Sequence, residues 1–183
     1  MADVPVSHVE TVDEGGDLLL WILVWSELIT FGILFCGFLT VSLFQPAEFA
    51  AAKLQLSPRI AGFNTIILLA SSWTAALAVQ AGANRRLQQL YLVATAALGF
   101  AFVAVKLVEY SLEIAGAGDP SFGSFFELYF LITGFHLAHV AFVGLVLLLI
   151  AYRPHQPNVV MATTIWHVVD LIWLVMFPLL YLG

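Results

Sequence analysis

The sequence predicts an all-α integral membrane protein, with five transmembrane helices in one bundle. Three observations lead there. Hydrophobic residues make up 62% of the 183 positions and charged residues only 10%, against about 25% charged in an ordinary soluble domain. A soluble chain of this length could not hide so much apolar surface. The apolar residues are also gathered into long runs, about 18–44, 60–82, 88–113, 124–152 and 158–182. Each exceeds the ~20 residues that carry a helix across ~30 Å of hydrocarbon. Finally, the breaks between the runs hold proline, glycine, serine and asparagine, the residues of turns.

The elements follow in order. Residues 1–17 contain Asp3, Glu10, Asp13, Glu14 and Asp17 but neither Lys nor Arg. A secretory signal needs a basic start and a short apolar core, so a retained, flexible acidic tail is expected here. Most of the net charge of −6 comes from it, which argues against nucleic acid as a partner. The first span holds Cys36, the one cysteine of the chain. A lone cysteine excludes an internal disulfide framework and a multi-cysteine metal site, and reads as a small packed thiol. Pro46 then opens the longest loop, where Ala47 to Leu56 suits a short interfacial helix with proline in its first turn.

Ser57-Pro58 leads into the second span, where positions 64, 68, 71, 72, 75 and 79 form one helical stripe. Asn64, Ser71 and Ser72 on that stripe predict a helix-packing face, because small and hydroxyl side chains let membrane helices approach and hydrogen-bond. Gly82 and Asn84 precede the third span, Gly116-Ala117-Gly118-Asp119-Pro120 the fourth, and Pro154 with Pro157 the fifth. Neither an internal repeat nor a low-complexity segment interrupts residues 18–183, which form one membrane domain. Arg85, Arg86 and Arg153 on the N-terminal side outnumber Lys53 and Arg59 on the other. That bias predicts a cytoplasmic N-terminus and an external C-terminus.

Ionisable groups lie deep in these runs: Glu27, Lys106, Glu109, His136, His139, His167 and Asp170. Glu27 is nine residues into the first span, about 13 Å deep at 1.5 Å per residue. Such a group costs roughly 2.5–3.5 kcal/mol on insertion scales, so it needs a partner or a task. Lys106 and Glu109 are close enough to pair along one helix. His136 and His139 share a face and could not sandwich one haem between them, although either could do so with His167. A histidine–carboxylate metal site could draw on His136, His139, His167 and Asp170 or Glu109. The spacing favours a buried polar network in which each histidine pairs with a carboxylate, Glu27 with His139 and His167 with Asp170 or a backbone carbonyl. A proton path through the same groups stands beside it.

Several segments together resemble subunit III of the haem–copper respiratory oxidases. Ser26-Glu27-Leu28-Ile29-Thr30-Phe31 opens the first span, and Asn64-Thr65 precedes Ser71-Ser72. Glu109-Tyr110 closes the third span, and Phe125-Phe126 leads into Thr133-Gly134-Phe135-His136-Leu137-Ala138-His139-Val140. Trp166-His167-Val168-Val169-Asp170-Leu171-Ile172-Trp173 forms the last. The resemblance covers residues 18–183. It departs from the seven-helix members by lacking two N-terminal helices. Five-helix versions occur in quinol oxidases and in a relative associated with nitric oxide reductase. Lys106 ahead of Glu109-Tyr110, the Phe125-Phe126-x-x-Tyr129-Phe130 run and the Pro46–Leu56 loop look closest to the latter.

The resemblance implies a non-catalytic accessory subunit in a bacterial inner (plasma) membrane, with no catalytic, cofactor-binding or metal-ligating residue of its own. Haem and copper are expected only in the catalytic partner, subunit I, with subunit II or nitric oxide reductase subunits as further candidates. Phospholipid is the expected ligand, and support of proton uptake and of active-site durability the expected role. The chain indeed lacks the cysteine pair of a copper relay and the histidine set of a haem–copper centre. The alternative is an independent transporter or channel, with Glu27, Glu109 and the histidines as a proton relay. Inverted repeats or paired broken helices would favour it, and the sequence contains neither.

Overall fold

A computed structural model describes residues 14–117 and 123–182. The expected tail up to residue 13 and the Gly118-Asp119-Pro120 part of the fourth break lie outside the described residues. Among the described residues, five helices are long and apolar enough to cross a membrane: Leu20–Phe44, Pro58–Gln80, Arg85–Ile114, Gly123–Tyr152 and Gln156–Leu182. A backbone in hydrocarbon has no water to bond, so each crossing must close its hydrogen bonds internally. The fold is therefore all-helical.

The elements are α1 (Glu14–Phe44), α2 (Pro46–Lys53), α3 (Pro58–Gln80), α4 (Arg85–Ala117), α5 (Gly123–Tyr152) and α6 (Gln156–Phe177). Helix α1 takes in the last four residues of the expected tail, 14–17, since helical hydrogen bonding does not stop where the apolar run does. Proline opens α2 and occupies the first turns of α3 and α6, where its missing N–H has no carbonyl to serve. The last helix continues as a wider π-helical turn, Pro178–Leu182. Pro178 has no N–H for the normal ladder, so the chain changes register there.

Helices α3, α4, α5 and α6 form a closed four-helix ring, each packed on the next and α6 back on α3. Helix α1 lies outside this ring, against α5 and α6, and α2 bridges the far ends of α1 and α5. Phe31 and Phe38, two turns apart on α1, are buried while most of that helix is exposed. Phe31 packs 5.3 Å from the Phe135 ring, and Phe38 5.1 Å from Phe49 of α2.

The small-residue stripe of α3 faces the ring. Asn64 Nδ2 donates to the Phe102 carbonyl of α4 at 3.1 Å. Trp173 Nε1 donates to Thr65 at 2.9 Å and Trp166 Nε1 to Ser71 at 3.1 Å. These bonds explain the hydroxyls on the stripe. A tryptophan buried between membrane helices needs an acceptor for its indole N–H.

Candidate functional site

The ionisable side chains do not form one network. Helix phase divides them into three groups and leaves His136 apart.

The first group lies between α1 and α5. Glu27 Oε2 stands 3.0 Å from His139 Nε2, the pair expected from depth, and both side chains keep about a fifth of their surface exposed. The contact is at ion-pair distance but is not aligned as a hydrogen bond. His139 Nδ1 lies 2.8 Å from the Phe135 carbonyl. A carbonyl only accepts, so Nδ1 carries a proton and Nε2 is the atom turned to Glu27. The pair sits at the edge of a cavity of about 290 Å³ between α1, α5 and α6, otherwise lined by side chains such as Leu23, Phe142, Val146 and Ile165. Glu27 is thus half-buried at a cavity wall rather than enclosed.

The second group is built on α4. Lys106, Glu109 and Glu113 fall on one face at i, i+3 and i+7, and all three are buried. Lys106 Nζ donates to Glu109 Oε2 at 3.0 Å, to Tyr129 Oη of α5 at 2.7 Å, and to Tyr181 Oη beyond α6. Tyr129 Oη donates to Glu113 Oε2 at 2.7 Å, and Tyr181 Oη to Glu109 Oε1 at 2.7 Å. The two phenolic oxygens are themselves 2.8 Å apart. Aromatic faces enclose the ammonium: Tyr129, Tyr181, Tyr110 and Trp173 have ring centres 4.9 to 5.5 Å from Nζ. Beside it, Tyr110 Oη donates to Thr133 at 2.6 Å.

Sequence reasoning found the Lys106–Glu109 pair but missed Glu113, Tyr129 and Tyr181. The heptad spacing of Lys106 to Glu113 was a usable signal. Tyr181 offered none, because its reach depends on the turn at Pro178.

The third group joins α3 to α6. Ser72 Oγ lies 3.0 Å from His167 Nδ1 and donates to Asp170 Oδ2. With its own proton given to Asp170, the hydroxyl accepts from the imidazole. Ser72 is therefore more than a packing residue: it bridges the two side chains that were expected to meet directly. His167 must also be corrected, because it is exposed on the outer surface rather than buried. Three residues along a helix leave the two side chains only about 60° apart, so both reach Ser72, with Asp170 on the bundle side of that face and His167 at its exposed edge.

His136 departs furthest from expectation. It was to pair with a carboxylate, yet it is fully buried and neither ring nitrogen has a hydrogen-bond partner among the described residues. It stacks on Trp173 at 5.4 Å and meets Phe31 and Phe102 edge-on. Aromatic faces close around the ring. Among the described residues, no three His, Cys, Asp or Glu side chains converge as a metal-binding group would.

The family model described as cytochrome c oxidase subunit III matches residues 2–183. A cytochrome c oxidase subunit 3 from Synechocystis sp. is 33% identical over 161 aligned positions, covering 81% of this chain and 67% of that protein. One from Thermostichus vulcanus is 31% identical over 195 aligned positions, covering 98% and 92%. A probable quinol oxidase subunit 3 from Staphylococcus epidermidis is 27% identical over 182 aligned positions, covering 92% and 89%.

Proposed function

The chain belongs to the cytochrome c oxidase subunit III family, and on that footing we propose that it is the accessory subunit of a haem–copper respiratory oxidase. It packs beside the catalytic subunit, holds lipid, and supports proton uptake and the durability of the active site. The haem and copper belong to the partner. The complex sits in a bacterial plasma membrane with the N-terminus of this chain in the cytoplasm.

One structural observation supports docking. Ser72, His167 and Asp170 lie near the middle of their spans, about 17–21 Å from either start at 1.5 Å per residue, and His167 faces outward. Lipid tails cannot hydrogen-bond an imidazole. Polar side chains at this depth characteristically face protein or a water-filled cavity. A neighbouring chain against the α3–α6 face satisfies that need. The lipid role draws on the cavity between α1 and α5–α6, whose wall is apolar apart from Glu27 and His139.

Within the family, Lys106 before Glu109-Tyr110 and the Phe125-to-Phe130 run favour the five-helix member associated with nitric oxide reductase. The relatives described above are cytochrome c and quinol oxidase subunits. Gas consumption decides between oxygen and nitric oxide as the partner's substrate.

The test is co-purification in mild detergent. A haem-absorbing partner should follow this chain, and replacing His167 or Asp170 by leucine should weaken the association. Membranes retaining the complex should then consume oxygen, nitric oxide or both. A colourless homo-oligomer with ion flux of its own would overturn the subunit reading in favour of a transporter.

A further inference from the structure

The Lys106 cluster contains a proton count that its structural role does not explain. Six close contacts link five side chains: Lys106 to Glu109, Tyr129 and Tyr181; Tyr129 to Glu113 and Tyr181; and Tyr181 to Glu109. Each hydrogen bond uses one proton. An ammonium brings three and each phenol one, which leaves the six contacts one proton short. With both glutamates ionised, Tyr129 and Tyr181 give their protons to Glu113 and Glu109. Their 2.8 Å contact is then two bare oxygens facing each other.

A carboxyl proton removes the conflict. Glu113 donates to Tyr129, Tyr129 to Tyr181, and Tyr181 to ionised Glu109. Each phenol then accepts two bonds and donates one. The charge count agrees: one ammonium and two carboxylates would leave a net negative charge buried within the bundle, whereas the added proton makes the cluster neutral. Glu113 Oε1 has no partner among the described residues. That is tolerable for a neutral carboxyl oxygen and costly for an ionised one.

We propose that Lys106, Glu109, Glu113, Tyr129 and Tyr181 form a binding site for one exchangeable proton, open to water on the α2 side of the membrane. The proton can sit at either end. As Glu113 passes its proton to Tyr129, Tyr129 passes its own to Tyr181 and Tyr181 its own to Glu109. Every O–H broken is matched by one formed, and only the negative charge changes ends.

Exchange with water runs through a cavity of about 380 Å³ lined by Ala50, Lys53, Leu54, Leu56, Pro58 and Tyr181. Tyr181 is the member of the cluster that forms part of this cavity's wall, and a proton taken up by its phenol displaces the phenol's own proton to Glu109. The groups around the site are Tyr110 on α4, His136 behind Trp173, Lys53 at the cavity and Glu48 on α2. Partial burial holds the Lys53 ammonium below the usual lysine pKa. The site needs no particular partner, so it stands or falls separately from the subunit assignment.

Infrared spectroscopy of the full chain in lipid nanodiscs tests this, with ¹³C-carboxyl glutamate separating glutamic from aspartic acid. At neutral pH the chain should show a protonated-glutamate C=O band that moves with the label and shifts in D₂O. E113Q and E109Q should each abolish it, because either leaves one ammonium facing one carboxylate. E27Q, in the α1–α5 pair, should leave it intact, an assignment that requires no change within the cluster. Y181F relieves the hydrogen-bond shortage but leaves one ammonium facing two carboxylates, so by charge it should keep the band while slowing its exchange in D₂O. The proposal is overturned if the wild-type chain has no such band, or if E27Q removes it. Survival of the band in both E113Q and E109Q overturns it equally. Equal exchange in wild type and Y181F overturns the cavity route.

Discussion

Lys106 shows how far a single side chain can determine local stability. Its ammonium is enclosed by two tyrosine hydroxyls, a carboxylate and four aromatic faces. Lys106→Met would leave Glu109 and Tyr181 without their cationic donor. Removing one partner of a buried pair costs about 3–5 kcal/mol, and a loss of that size is expected in denaturant unfolding in detergent, followed by helical circular dichroism. Adding Glu109→Gln should restore part of it, since the stranded charge then goes too. His136 predicts a much smaller effect. Its nitrogens gain nothing from the partners described, so His136→Leu should stay within about 1.5 kcal/mol of wild type in the same assay. A larger loss would mean that the ring bonds something beyond the described residues. The sequence made the Lys106–Glu109 pair legible because helical spacing alone brings the two together. It could not disclose that His136 has no hydrogen-bond partner among the described residues, because a histidine's satisfaction depends on which helices surround it.

At the scale of the helix, the Trp166 indole of α6 reaches across the ring to Gly99 of α4. A Cβ at Gly99 would collide with Trp166 Cη2. The indole is fully buried and tied to Ser71, so it cannot swing aside. Gly99→Ala should therefore overpack the contact and destabilise the chain by about 1–3 kcal/mol, read as a lower unfolding midpoint in detergent. Gly99→Ala with Trp166→Phe should recover part of the loss. The helices themselves were legible because bilayer thickness sets their length, and the α3 stripe was legible because small side chains mark close approach. Tyr181 was not, because the π-helical turn at Pro178 fixes where it reaches. The outward direction of His167 was equally hidden: depth along a span is a property of one helix, but facing is a property of the bundle.

For the whole molecule, the subunit reading predicts what removal of the chain leaves behind. The catalytic partner should keep its haem spectrum and its initial turnover, because no redox group departs. Activity should decay sooner over successive turnovers, as a progress curve on complexes with and without the chain would record. Immediate loss of the haem signal would mean that ligands come from this chain. The placement of α1 outside the ring has a further consequence, in the timing of biosynthesis. Glu27 is made early, but His139 follows 112 residues behind it. At elongation rates of about 5–20 residues per second the wait is roughly 6–22 s. Throughout it the ribosome has delivered a membrane helix whose carboxyl has no imidazole to meet, and whose docking surface on α5 and α6 does not yet exist. The first helix must be held, by the insertion machinery or by lipid, until the last ones arrive. Nascent chains arrested before residue 139 should therefore crosslink from α1 to that machinery, and released full-length chains should not.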